Sequence, residues 1–193
     1  GLIVEINNLK TKKSSYKIKD IYELLDDRPI FSNELMKTSK WAATYYHHPI
    51  GQVLFNSMSP IHRKGNAEPK KNFIDKPNDE PVNLKLNDEQ LNVSNNIYKD
   101  IDKYQVNYLR GVTGSGKTEV YTHLAANILK NEGQVLIMVP EINLTPQTVK
   151  RFQKYLSINP QEYHSNLTPS QKFKVWKACR ENRKLIVIGT RSS

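Results

Sequence analysis

The run Gly-Val-Thr-Gly-Ser-Gly-Lys-Thr at 111–118 has the types and spacing needed to hold a polyphosphate. Gly111, Gly114 and Gly116 let a tight loop wrap an anion with its own main-chain amides, where a Cβ would clash or forbid the backbone angles. A helix beginning at Thr118 would aim its positive end at the same anion. Lys117 has the reach for the outer phosphates, and the Thr118 hydroxyl can ligate Mg²⁺. A chance match in a glycine-rich turn is the plain alternative. Context decides against it, because the loop lies between an apolar segment and an amphipathic one.

Those flanking segments have to position the loop. "QVNYLRG" reads as a strand entering it. "TEVYTHLAANILKNEG" reads as a helix stopped by Gly133, with Val120, Leu124 and Ile128 on its apolar face. Upstream, "LNDEQLNVSNNIYKDI" is helical with Asn87 or Asp88 as cap. Downstream, "QVLIMVP" is a continuous apolar strand of the parallel-sheet kind. "TPQTVKRFQKYL" opens on a Thr cap with Pro at the first helical position, burying Val149, Phe152 and Leu156. "TPSQKFKVWKACREN" repeats that opening and buries Phe173 and Trp176. "KLIVIG" closes the pattern as another apolar strand. The fold class is α/β, a P-loop (RecA-like) parallel sheet with flanking helices.

In such sheets chemistry collects where strands end. "VPEINLTPQ" ends one strand and "IGTRS" another. Neither is a base-reading Asn-Lys-x-Asp of a GTPase, and no Ser-Gly-Gly signature of a transporter is present. Thr145 and Pro146 start a helix whose free amides can bind a backbone phosphate, and Thr190, Arg191 and Ser192 can do the same from the next loop. Two such sites form a track for a single strand beside the nucleotide cleft. Thr-Pro is also a common capping device, as Thr168-Pro169 illustrates. A small-molecule kinase would instead need a lid and a substrate pocket in place of these strand ends.

The bulk composition agrees with a nucleic-acid partner without requiring one. The 193 residues carry 29 Lys+Arg against 19 Asp+Glu, a formal charge of +10, and 37% are apolar. The single cysteine, Cys179, excludes an internal disulfide or thiolate zinc site; its place beside Trp176 suggests a buried apolar residue. "GLIVEI" lacks a signal-peptide pattern, and nothing reaches the ~18 apolar residues of a membrane span, so no membrane role and a cytoplasmic location are expected.

Residues 1–60 read as a small α+β unit. "GLIVEI" and "YKIKDIYELLD" are strands, and a helix runs from about Ser32 to Tyr46 on Leu35, Ala42, Ala43 and Tyr46. His47-His48-Pro49 must break that helix. Residues 61–83 are rich in Pro, Lys and Asn and form a linker.

"LNDEQ", "GVTGSGKTEVY", "VPEINLTPQTVKRF", "HSNL" and "IVIGTRS" follow the order and spacing of the PriA family of primosomal replication-restart helicases, also called primosomal protein N-prime. "GLIVEI" and "YYHHPIGQVLF" resemble the end of that family's DNA 3′-terminus-binding domain. The resemblance implies a partial 3′-terminus-binding domain at 1–60, and helicase lobe one at 84–193 ending before the acidic (Walker B) motif. It implies an ATP- and Mg²⁺-dependent 3′-to-5′ DNA helicase that recognises stalled or abandoned forks and helps reload the replicative helicase, with primosome and replication-restart proteins as partners. Gln90 matches a glutamine near the adenine. Gly111, Val112, Thr113, Gly114, Ser115, Gly116, Lys117, Thr118 and Glu119 match the ATP motif, with Lys117 and Thr118 in the catalytic roles. Pro140, Glu141, Thr145 and Gln147, with Gly189, Thr190, Arg191 and Ser192, match the DNA-contacting motifs. Lys19 falls near the pocket for a DNA 3′ end.

Departures from the family pattern are equally informative. The roughly 20 residues between the two parts are too few to replace the family's winged-helix domain, since chains below about 40 residues rarely fold alone. The acidic motif, the second lobe and the family's zinc-binding cysteines have no counterpart within 1–193. The chain alone is therefore expected to bind ATP weakly and not to unwind DNA. The alternative is a non-catalytic fork-binding module with a relic P-loop.

Overall fold

The computed structural model describes residues 2–4, 6, 19–26, 28–65, 82–140, 146–156, 158–181 and 183–190. They fall in two compact units, Gly1–Lys71 and Asn72–Ser193.

In the first unit, α1 spans Asn33–Tyr45, α2 Ile50–Ser57 and α3 Pro60–Arg63. Ser32 caps α1 by accepting the Leu35 amide at 3.2 Å, as the sequence suggests. His47 takes φ 54°, which ends the helix before Pro49. The buried face of α1 differs from the expected one. Ser39 is buried and Met36 packs onto Phe31, Leu54 and Met58, whereas Leu35 and Tyr46 stand out to solvent. Tyr46 and Trp41 instead make ring contacts with Tyr45 on the outer side.

Neither expected N-terminal strand forms among the described residues. Leu2–Val4, Ile6 and 19–26 have no regular structure. A strand is held by a hydrogen-bonded neighbour; among the described residues none lies beside these segments, and Ile21 and Tyr22 are exposed. The start of the expected linker is the helical turn α3, whose cap Ser59 accepts the His62 amide; 66–81 lie outside the described residues.

The second unit contains α4 (Asp88–Tyr98), α5 (Lys117–Lys130), β1 (Gln134–Val139), α6 (Pro146–Gln153), β2 (Gln161–Tyr163), α7 (Pro169–Arg180) and β3 (Leu185–Thr190). The three strands form one parallel sheet in the order β1-β3-β2. Central β3 is buried along its whole length. Ile186 and Ile188 join Ala125, Leu129, Val149, Phe152 and Leu156 in the main core. Leu185 and Val187 face the other way, against Val175 of α7. Each fully buried aliphatic or aromatic side chain contributes about 1.5–3 kcal/mol.

Three expectations are corrected here. "QVNYLRG" is not a strand: residues 105–111 are irregular, and Val106 and Tyr108 are 83% and 89% exposed, with no strand beside them among the described residues. In its place the short "QEY" segment supplies β2. The core face of α5 is Ala125 and Leu129 with Val120 and Thr122, because the sheet lies on that side; Leu124 and Ile128 sit half-buried at its margin. Cys179 is exposed on the outer side of α7. The expected burial of Val149, Phe152, Leu156 and Phe173 holds.

The helices α4 and α5 are joined by a polar contact inside their interface. Fully buried Ser94 meets His123 Nδ1 at 2.8 Å. Burial of His123, reinforced by the charge of Lys130, holds its pKa below the ordinary 6.5. The neutral ring is thus favoured in the folded state. The stability it contributes is complete above the unfolded pKa and is lost as pH falls through the lower folded one. Resistance of the wild type to urea should therefore weaken as pH drops below about 6.5, and His123→Gln should flatten that dependence. An unchanged pH slope in the variant would exclude His123 as its source.

Candidate nucleotide and nucleic-acid site

The loop is held on two sides before any ligand is considered. Asn87 and Gln90 form a capping box: the Asn87 side chain accepts the Gln90 amide at 2.8 Å, and Gln90 Oε1 accepts the Asn87 amide at 3.0 Å. This fixes the Gln90 side chain so that Nε2 donates to the Ser115 carbonyl at 3.2 Å. Gln90, the residue matched to an adenine contact, is thus seated against the loop itself.

Within the loop, Gly114 and Gly116 have φ of 82° and 81°, the left-handed region that favours glycine. At Gly116 an added Cβ would also strike the Gln90 amide. The Ser115 amide donates to the Val112 carbonyl at 3.2 Å, tightening the turn. The amides of Gly114, Gly116, Lys117 and Thr118 donate to nothing among the described residues. Four outward donors on a left-handed turn at a helix start make an anion cradle. The Lys117 ammonium folds back over this turn and donates to the Gly111 and Val112 carbonyls at 2.6 and 2.8 Å. These acceptors are neutral main-chain carbonyls, so a charged phosphate would compete well for the same ammonium.

Thr118 is half-buried, and its hydroxyl makes no hydrogen bond among the described residues. Glu119, one residue on, is tied to Arg151 of α6. Partial burial works to raise its pKa, but the guanidinium bond, its own amide and the Arg151 charge outweigh that and leave it lowered, hence ionised. Arg151 was invisible to motif reading: it is 32 residues from Glu119, and only the packing of α6 beside α5 brings them together.

The short turn 131–133 joins the end of α5 to the start of β1, so α5 runs back along the sheet and its first turn stands at the carboxyl edge of β1. At that edge Val139 is in register with Thr190. The ends of β1 and β3 therefore lie next to each other, at the edge where α5 begins. Gly189 has a packing role as well, since an added Cβ would lie 3.0 Å from the Tyr163 carbonyl of β2. Thr190 is buried. Gln147 lies in the first turn of α6. Glu141, Thr145, Arg191 and Ser192 lie outside the described residues. Lys19 is exposed and belongs to the other unit.

Comparison with known proteins fits both units. Residues 83–193 match the family model described as type III restriction enzyme, res subunit, and 1–59 match that of a 3′ DNA-binding domain. Replication restart protein PriA of Borreliella burgdorferi is 32% identical over 203 residues, covering 100% of this chain and 29% of its own length. PriA of Rickettsia prowazekii is 33% identical over 199 residues, 100% of this chain and 28% of its own. PriA of Haemophilus influenzae is 51% identical over 90 residues, 47% of this chain and 12% of its own. The chain thus spans less than a third of the length of these relatives.

Sheet, loop and strand ends define a RecA-like P-loop domain of the helicase type, preceded by a 3′ DNA-binding domain. The chain belongs to the PriA family of replication-restart proteins.

The geometry singles out Gly116. Gly116→Ala introduces both the clash with Gln90 and a left-handed non-glycine residue, a backbone cost of about 1–2 kcal/mol. The core around Leu129 should survive, giving a folded protein with a modest loss of melting temperature and no affinity for Mg-ATP. Wild-type affinity in this variant would show that the loop conformation is not what binds.

Proposed function

We propose that this chain is the nucleotide- and DNA-binding front portion of an ATP-dependent 3′-to-5′ DNA helicase of replication restart. The parent protein recognises stalled or abandoned forks and takes part in reloading the replicative helicase. The observation that carries the reading is the loop whose amides at Gly114, Gly116, Lys117 and Thr118 are free among the described residues, at the edge where two adjacent strands end in register at Val139 and Thr190. A loop of this kind serves many machines; two strand ends beside it that fit the family's DNA-contacting motifs favour a translocase over a small-molecule kinase.

In this reading 1–60 form part of the 3′-terminus-binding domain, 61–83 the linker, and 84–193 the first helicase lobe. The loop amides and Lys117 hold the triphosphate, Gln90 keeps the loop open toward the base, and Thr118 is the Mg²⁺ ligand. Bound Mg²⁺ would neutralise phosphate charge. Pro140, Glu141, Thr145, Gln147 and 189–192 take the DNA backbone, and Lys19 lies toward a DNA 3′ end. Forks and single strands are the substrates, primosome proteins the partners, and the bacterial cytoplasm the location. Support comes from the 3′ DNA-binding match, the PriA relatives and the charge of +10. Among the described residues no helix is long and apolar enough to cross a membrane.

Single-stranded DNA binding by the chain, followed by fluorescence anisotropy, tests this. Log affinity should fall linearly with log salt, by about 0.7 for each phosphate neutralised. Lys117→Ala should abolish ATP binding and leave the DNA isotherm nearly unchanged. Salt-insensitive or absent DNA binding would overturn the helicase reading. DNA binding without ATP binding in the wild type would favour the relic-loop alternative.

A further inference from the structure

We infer that the Glu119–Arg151 ion pair is a positioning pair that couples the nucleotide loop to helix α6, so that occupancy of either site changes the affinity of the other. This rests on the reading of the two sites given above.

Glu119 is the third residue of α5, immediately after Lys117 and Thr118, and its amide bonds the Gly116 carbonyl at 3.1 Å. Any rearrangement of the loop therefore moves this side chain. Its two oxygens face different neighbours. Oε1 accepts from Arg151 Nη2, whereas Oε2 is buried, has no hydrogen-bond partner among the described residues and lies toward Gly116. A buried acceptor left without a donor is uncommon in proteins and calls for an explanation. Here it makes the carboxylate sensitive to the loop: whatever shifts Gly116 changes the surroundings of Oε2, and Oε1 carries the change to Arg151.

Arg151 sits in the second half of α6, whose first turn follows the strand end proposed to hold DNA. Farther from the edge, α5 and α6 are locked by shared burial of Ala125, Leu129, Val149 and Phe152. Near the loop, Glu119–Arg151 is the polar link between the two helices among the described residues. Thermal stability is a poor account of it. The Arg151 side chain is 54% exposed, and pairs that open to solvent contribute little to folding. Coupling needs only a modest energy difference between two arrangements, which such a pair can supply.

The test uses this chain with Mg-ATPγS and a 20-nucleotide oligo-dT, each titrated alone and with the other saturating. Linkage requires the two to alter each other's Kd by the same factor, and a factor of about five or more is expected for the wild type. Arg151→Ala should bring the factor close to one, with each separate Kd changed by no more than about twofold and the melting temperature nearly unchanged. Arg151→Lys keeps the charge and should restore part of the factor. A wild-type factor in Arg151→Ala would overturn the inference. Binding of both ligands by the wild type with a factor of one would overturn it while leaving the site reading intact. Binding of neither would remove the site reading and the inference together.

Discussion

Everything at this site depends on the amides of Gly114, Gly116, Lys117 and Thr118, unpaired among the described residues, while the rest of α5 is fixed. A helix start leaves its first N–H groups without intrahelical acceptors, and most proteins satisfy them with a capping side chain. Here the cap is Gly116, which offers none. The left-handed backbone at Gly114 and Gly116 directs the amides outward, and the Gln90 clamp on the Ser115 carbonyl keeps the turn in place. Burial of Ala125 and Leu129 under the sheet anchors the other end. A fixed helix whose first donors are unsatisfied among the described residues is suited to an anion because of what its sequence omits.

The sheet adds the second element. Because β3 is central and buried on both faces, its end is fixed by neighbours on either side, Val139 of β1 and Tyr163 of β2. Gly189 permits the close approach of β2. Adjacent parallel strands end at the same edge, which brings Val139 and Thr190, distant in the chain, next to each other. At that edge the contact between α5 and α6 is made by Glu119 and Arg151.

Legibility in the sequence followed the range of the forces involved. Ser32, Asn87 and Thr168 were readable as caps because a capping bond spans only three residues. The strands β1 and β3 were readable because each is mostly apolar, but only β3 is buried along its length, whereas Leu136 and Met138 of β1 are exposed. "QVNYLRG" has the same look but is no strand, since pairing is decided by neighbours outside the segment. The core faces of α1 and α5 were each placed off by a residue or two, because alanine, serine and threonine occupy positions that a count of large apolar residues passes over. At the site, the glycines and Lys117 announced themselves, whereas Arg151 and the double use of the Gln90 amide are products of tertiary packing. The fold back of Lys117 onto Gly111 and Val112 was likewise beyond local reading.

The most direct test of the central claim is an amide-resolved NMR titration of the chain with Mg-ATPγS. Anion capture by the free donors predicts that the resonances of Gly114, Gly116, Lys117 and Thr118 shift together and saturably, while those of Ala125 and Leu129 stay in place. Saturable binding that leaves these four amides unmoved would contradict the account.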